Sequence, residues 1–339
     1  MNFGMHIVTH GMLTRDAAGD AWMAKVPAAE MRPVEVAVEC ERLGYHSVWL
    51  SDHVVMERVT DGDVHPASLS GKRAYPDLPN MLDPLTMMAA IAGRTTTLVM
   101  SPSVYVVPYR HPLVAAHQFA TLDVLSNGRV IVGVGNGWMR GEYEALGLRF
   151  EDRGPQTEEC LQIYRLAWTE DWIDFHGRFY DIANVSLDPK PVQKPHPPLW
   201  YGGITPVSAR RAARYCQGFY PLYGDVNVDP ALYAHLREVI LREGEQLQRD
   251  LSQFTLGALV CARLVDGSEP HRWQQRPGLT GTAEQVLADI ERFAAHGYSH
   301  ISLHFDCPSG QVSEVEEQIA RFAAEVLPEA RRLVVAPFA

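Results

Sequence analysis

Little in this sequence ties it to an oxidising compartment, a membrane or a nucleic acid. Its five cysteines, Cys40, Cys160, Cys216, Cys261 and Cys307, are odd in number, widely spaced and form no CxxC. Such thiols are expected to be reduced and buried, which argues against a disulfide framework or a zinc ribbon. No Lys/Arg run exceeds a pair, and 30 basic residues against 41 acidic ones leave a net charge of −11. The basic footprint of a nucleic-acid binder is therefore missing, and an anionic membrane surface is disfavoured. The N-terminal "MNFGMHIVTHG" lacks the basic region and apolar stretch of a signal peptide, and no apolar run approaches the length of a membrane span. The expectation is a cytoplasmic protein with neither a membrane nor a nucleic-acid partner. HExxH, GxSxG, Walker A and kinase signatures are also missing, and no metal site is expected.

What is present is a rhythm. With 46% hydrophobic and 21% charged residues the chain can bury a large core. Short β-branched runs cover 2–8, 46–53, 96–104, 129–135, 198–203, 218–223, 254–264 and 299–305. Each is followed by a helical pattern: 33–45, 84–94, 111–128, 155–170, 205–216, 229–247, 282–297 and 312–330. The strands are apolar rather than alternating, as in a parallel sheet covered on both faces. Eight βα units predict an α/β fold of the TIM (β/α)8 barrel type, one domain over 1–339, with a doubly wound sheet as the alternative. Two segments break the rhythm. Residues 53–83 have little periodicity, as in a functional loop or lid. Residues from about 171 to 198 are proline-rich and predict an irregular insertion with a small β excursion.

In such a barrel, chemistry sits at the C-terminal ends of the strands. Those ends carry His6, Thr9 and His10; Ser51, Asp52 and His53; Ser103, Val104 and Tyr105; Gly135, Asn136, Gly137 and Trp138; Gly202, Gly203 and Thr205; and His304 and Asp306. Asp52-His53 is the sharpest pair, because an imidazole beside a carboxylate can hold or release a proton near neutral pH. Against this, adjacent strand residues point to opposite faces, so one of them could serve only local pairing.

The stretch "GRVIVGVGNGW" puts Gly133, Gly135 and Gly137 at a strand end. This is GxGxG on the fourth strand, and the "WMRGEYEALG" that follows has no clean helix start, so a dinucleotide fingerprint is not met. A backbone phosphate cradle beside an aromatic remains. In "YGGITPVSARRAARY", Gly202-Gly203 ends a strand while Thr205 and Ser208 open a helix. Free N–H groups, the helix dipole and two hydroxyls suit an anion; ordinary helix capping is the alternative. Tyr109-Arg110-His111-Pro112 is compatible with an anion contact or with the start of the next helix.

Together these residues carry a resemblance. The motifs "LGYHSVWLSDHVV", "DPLTMMAAIAGRTTTLVMSPSVYVVPYRHPLVAAHQFATLDVLSNGRVIVGVGNGW", "GEYEALG", "WTEDWIDFHGRFY", "PKPVQKPHPPLWYGG", "ARRAARY" and "GTAEQV" occur in this order. Over roughly residues 1–330 the chain resembles the bacterial luciferase-like flavin oxidoreductases, most nearly the subgroup described as using the deazaflavin coenzyme F420. The resemblance implies a barrel that binds reduced FMN or F420 at its C-terminal mouth. It implies His53 as active-site histidine and Asp52 as its acidic neighbour. It implies a cis peptide at Ser103-Val104 under the isoalloxazine ring. Gly135, Asn136 and Trp138 on one strand end, and Gly202, Gly203, Thr205 and Ser208 on the next, would hold the cofactor phosphate. Trp138 departs from the acidic residue that some deazaflavin dehydrogenases carry there, which speaks against a sugar-phosphate dehydrogenase.

The expected function is a flavin-dependent monooxygenase. It would use reduced flavin from a partner reductase and oxygen on a small organic substrate under the 53–83 loop. Hydride transfer by reduced F420 is one alternative, and a non-catalytic flavin-binding barrel is another. The resemblance also implies a homodimer.

Overall fold

In the computed structural model, residues 1–7, 12–15, 22–57, 81–223, 230–267, 278–305, 309 and 311–338 are described. Thr9, His10, Asp306, Cys307 and most of the 53–83 loop lie outside the described residues.

Eight parallel strands form a ring: β1 (Asn2–Ile7), β2 (Ser47–Leu50), β3 (Val99–Pro102), β4 (Val132–Gly135), β5 (Leu199–Gly202), β6 (Gly218–Tyr220), β7 (Thr255–Leu264) and β8 (Tyr298–Phe305). Their lateral order is β3-β2-β1-β8-β7-β6-β5-β4. The ring closes where β3 meets β4 through the Met100–Val130 bridge, and Tyr105–Val106 pairs beside β4 just beyond it. The barrel predicted from the apolar strands is thus present, and the doubly wound alternative is not. The helices of the repeat are α1 (Pro33–Arg42), α2 (Pro84–Ala92), α3 (Pro112–Ser126), α4 (Arg153–Thr169), α5 (Pro206–Tyr215), α6 (Ala234–Gln246), α7 (Ala283–Ala295) and α8 (Val312–Glu325).

Local chemistry sets the ends of these helices. Asp83 accepts from the Thr86 N–H at the start of α2. Thr205 with Ser208, and Thr282 with Gln285, form capping boxes on α5 and α7. The single helix predicted over 312–330 stops at Glu325, and a short turn over Leu327–Ala330 follows with Pro328 in its first positions. Proline is tolerated only in a first helical turn.

The barrel interior is filled rather than open. Trp49 stacks on Tyr220 with ring centres 4.4 Å apart, and Trp200 packs against both. Beneath them Ser47 bonds His300 at 2.8 Å, and Trp49 donates to Ser47 at 2.8 Å. The irregular section holds an antiparallel hairpin, Ile173–His176 with Asp181–Val185. A second hairpin, Met12–Arg15 with Trp22–Val26, follows β1. Leu279–Gly281 adds a parallel pairing to the far end of β7, within a region the sequence reads as loop. Cys40, Cys160 and Cys216 are buried free thiols.

Candidate active site

The mouth of the barrel collects the ends of β1, β2, β3, β4, β5 and β8. β1 and β8 are paired, and His6 from one meets His304 from the other, Nδ1 to Nδ1 at 3.4 Å. The other ring nitrogen of His6 faces the Ser51 hydroxyl at 3.2 Å.

Asp52 and His53 point to different partners, as consecutive residues leaving a strand do. The Asp52 carboxylate is buried and accepts from both terminal guanidinium nitrogens of Arg110 at 2.8 Å, and from the Val106 N–H at 2.8 Å on one of its oxygens. Burial alone would lower the Arg110 guanidinium, but the bonds and charge of Asp52 outweigh it and hold it above its ordinary value. Arg110 also reaches Asp83 at 3.3 Å. Its charge is committed to carboxylates, and His111 and Pro112 open α3, so the second reading of that tetrapeptide is the one the fold adopts.

The carboxylate that meets His53 is Glu142. His53 Nδ1 lies 2.7 Å from Glu142 Oε2, and the Tyr109 hydroxyl donates to the same oxygen at 2.7 Å. The other oxygen, Oε1, accepts from the N–H groups of Val54 at 2.6 Å and Val55 at 3.2 Å. The indole of Trp138 stands edge-on to the His53 ring, centres 6.0 Å apart. Burial pushes the Glu142 carboxyl up, but the bonds from His53, Tyr109 and Val54 prevail and hold it below the usual carboxylate range. Glu142 sits on a six-residue helix, Arg140–Ala145, in the stretch whose sequence shows no clean helix start. Tyr143 anchors that helix by donating to the Asn136 carbonyl at 2.7 Å.

The two glycine-ended strands are neighbours, β4 beside β5. What lies between their ends is the side chain of Val104, next to a cis Ser103-Val104 peptide. A Cβ built on Gly135 would come within 2.4 Å of Val104 Cγ2, and one on Gly202 within 2.4 Å of Val104 Cγ1. These glycines are therefore required by packing, whatever binds above them. Asn136 and Trp138 follow directly in the β4 turn.

At the start of α5 the hydroxyls turn to each other first. Ser208 N–H donates to Thr205 Oγ1 at 3.2 Å, Thr205 N–H to Ser208 Oγ at 3.0 Å, and Ser208 Oγ to the Thr205 carbonyl at 2.7 Å. The capping alternative is thus realised in the fold. The Gly203 N–H donates to the Tyr220 carbonyl at 3.4 Å, so the helix dipole is what remains there for an anion.

Strand-end logic singles out His53 and Asp52 in the sequence and passes over Glu142, the carboxylate that His53 meets. The signal for it is weak, an acidic residue in the first turn after "GNGW". Nothing local links it to a histidine 89 residues earlier.

A family model described as luciferase-like monooxygenase matches residues 1–298. An F420-dependent glucose-6-phosphate dehydrogenase of Amycolatopsis mediterranei is 33% identical over 338 residues, spanning 88% of this chain and 94% of that protein. An FMNH2-dependent dimethylsulfone monooxygenase of Pseudomonas putida is 29% identical over 201 residues, 56% of this chain and 55% of that one. Among solved structures, the oxygenating constituent of 3,6-diketocamphane monooxygenase from Pseudomonas putida, in complex with FMN, superposes with a TM-score of 0.73. It covers 99% of this chain and 100% of its own at 15% identity, a likeness of fold alone.

Proposed function

This chain belongs to the luciferase-like monooxygenase family, and from that premise we propose that it is a flavin-dependent monooxygenase acting with reduced FMN and oxygen on a small, fairly apolar organic molecule. The observation that carries this reading is the shelf at the barrel mouth. Ser103, Val104, Gly135 and Gly202 meet there, and two of the four have no side chain while Val104 is pressed between them. Such a surface fits a flat ring system. Ser103 and Val104 would lie under the ring. Asn136, Trp138 and the start of α5 at Gly203, Thr205 and Ser208, with its helix dipole, would hold the phosphate.

When bound, the reduced cofactor supplies the electron pair and the place where oxygen reacts. The protein's own part is to position substrate, exclude water and move protons. His53, buried at the end of β2 and braced by Trp138, is the proton-handling side chain. Asp52 instead neutralises Arg110 and fixes the turn after β3 through the Val106 N–H. A separate flavin reductase is the proposed source of reduced cofactor.

Hydride transfer by reduced F420 is the second reading, favoured by the F420-dependent relative that spans most of this chain. F420 carries a longer anionic tail. Arg110, the guanidinium described at the mouth beside Asp52, is already paired with Asp52 and Asp83. Anaerobic titration with reduced FMN and with reduced F420, followed by oxygen uptake, separates the two. Tight FMN binding with oxygen consumption is expected; tight binding of F420 alone without oxygen uptake would overturn the oxygenase. His53→Ala is expected to abolish turnover, and unchanged turnover would remove His53 from the mechanism.

The same proposal includes a homodimer. On the outer stripe of α3, Val114 is 54% and Leu125 67% exposed, with His117, Gln118 and Thr121 between them, and the two apolar ends of that stripe are the contact proposed between copies.

A further inference from the structure

We propose that Glu142 is the positioning residue that dictates the tautomer of His53, placing its neutral-state proton on Nδ1 so that Nε2 is the nitrogen that takes up or releases a proton. The inference deepens the reading of His53 as the proton-handling group and rests on that reading for its catalytic consequence. Its structural content stands without it.

Donors and acceptors around Glu142 decide the tautomer. The Glu142 carboxylate has four close partners, and three of them fix the fourth. The N–H groups of Val54 and Val55 can only donate. The Tyr109 hydroxyl has its oxygen 2.7 Å from Oε2 and donates to it. An ionised carboxylate is acceptor-only. His53 Nδ1 at 2.7 Å from that same oxygen therefore carries the hydrogen. Glu142 has no exposed surface, so water cannot replace any of these bonds. The bonds that keep its carboxyl below the ordinary range are the same ones, which keeps it ionised at neutral pH. Because Oε1 also pins the backbone of Val54 and Val55, the histidine's ring and the chain just after it are held by one group. The Trp138 edge limits rotation of the ring from another side.

Replacing Glu142 by Gln makes the logic visible, since it changes no heavy-atom count. A carboxamide has one acceptor oxygen and one donor nitrogen. The Val54 and Val55 N–H groups cannot reverse, so the oxygen must stay with them. The NH2 then faces His53 Nδ1, which has to become an acceptor, and the proton moves to Nε2. Asp at this position stays acceptor-only and keeps the original tautomer.

The test uses the full chain with 15N-labelled histidine and no cofactor, read by long-range 1H–15N spectra, with the His53 signals identified by their loss in His53→Asn. Wild type is expected to show neutral His53 protonated on Nδ1, Glu142→Gln the Nε2-protonated form, and Glu142→Asp the wild-type pattern. Wild type in the Nε2-protonated form overturns the proposal with no variant needed. Glu142→Gln retaining a proton on Nδ1 overturns it as well. In turnover, Glu142→Gln is expected to lower kcat by on the order of 100-fold with little change in KM. A correct tautomer result with unchanged kcat would leave the tautomer assignment standing and sink the proton-handling role of His53.

Discussion

At the scale of single residues, the mouth is organised by contacts that its motifs do not announce. The glycines of "GRVIVGVGNGW" suggest a phosphate cradle, but Gly135 and its neighbour Gly202 are first of all the two walls that receive Val104. Gly202→Ala is expected to displace Val104 and destabilise the fold by about 1–3 kcal/mol, as overpacking does. If the shelf lies under the flavin, the same change also weakens binding of reduced FMN. Adding Val104→Ala should restore much of the stability. Thermal unfolding and cofactor titration of the single and double variants check this; a Gly202→Ala protein that binds FMN like wild type would separate the shelf from the cofactor. The sequence did mark His53, because a histidine leaving an apolar strand has few structural duties. Its carboxylate partner was out of reach of any local pattern.

At the scale of elements, helix ends carry much of the fold's polar accounting. Arg129, in the turn before β4, is buried with no carboxylate among its described hydrogen-bond partners. It donates to the carbonyls of Ala92, Thr95, Leu98 and Ser126 and to the Thr95 hydroxyl, at 2.7–3.0 Å. It thereby closes the C-terminal ends of α2 and α3 onto each other. Arg129→Ala strands these acceptors and is expected to cost about 3–5 kcal/mol. Lys, with a single nitrogen, recovers only part of it, as a shift in the urea midpoint would show. On α5 the expected cost of Thr205→Ala is about 1 kcal/mol, that of a lost N-cap. Comparing FMN with riboflavin in that variant tells whether the cap also touches phosphate. A loss of affinity confined to FMN places phosphate there, and equal affinities remove Thr205 from the grip. Periodicity made the eight strands and their helices legible. It passed over Arg140–Ala145, because six residues are less than two full turns and show no amphipathic stripe.

At the scale of the whole molecule, pH is expected to act through buried imidazoles. His46, His196 and His300 are held below the ordinary histidine value by burial, His300 well below it. Each therefore binds fewer protons folded than unfolded. Their contribution is complete above about pH 6.5 and is lost as pH falls towards the folded values, at no more than about 1.4 kcal/mol per pH unit for each. Glu142, lowered when folded, adds a second loss as pH drops below about 4.5. Denaturation midpoints are expected to fall from pH 7 to pH 5, and His300→Asn to flatten that slope; an unchanged slope would exclude His300 as a source. Assembly belongs to this scale too. Leu125→Asp on the exposed stripe of α3 is expected to give a monomer by light scattering if α3 pairs copies of the chain, and an unchanged mass would place any interface elsewhere.

The alternation of strands and helices was legible in the amino acids, since eight apolar runs, each followed by a helical pattern, leave a barrel or a doubly wound sheet as the ways to bury them; closure of the ring settled it for the barrel. The sequence also determined where chemistry could sit and which histidine to suspect, because strand ends are the places where polar residues escape the core. The partnerships came from the folded barrel. Asp52 went to Arg110, His53 to Glu142, Gly135 and Gly202 to Val104, and Thr205 to Ser208. The physical reason is one of range. Periodicity and capping act over a few residues and leave a mark on the sequence. A buried carboxylate chooses among donors brought close by ring closure, and that choice exists only after the barrel has formed.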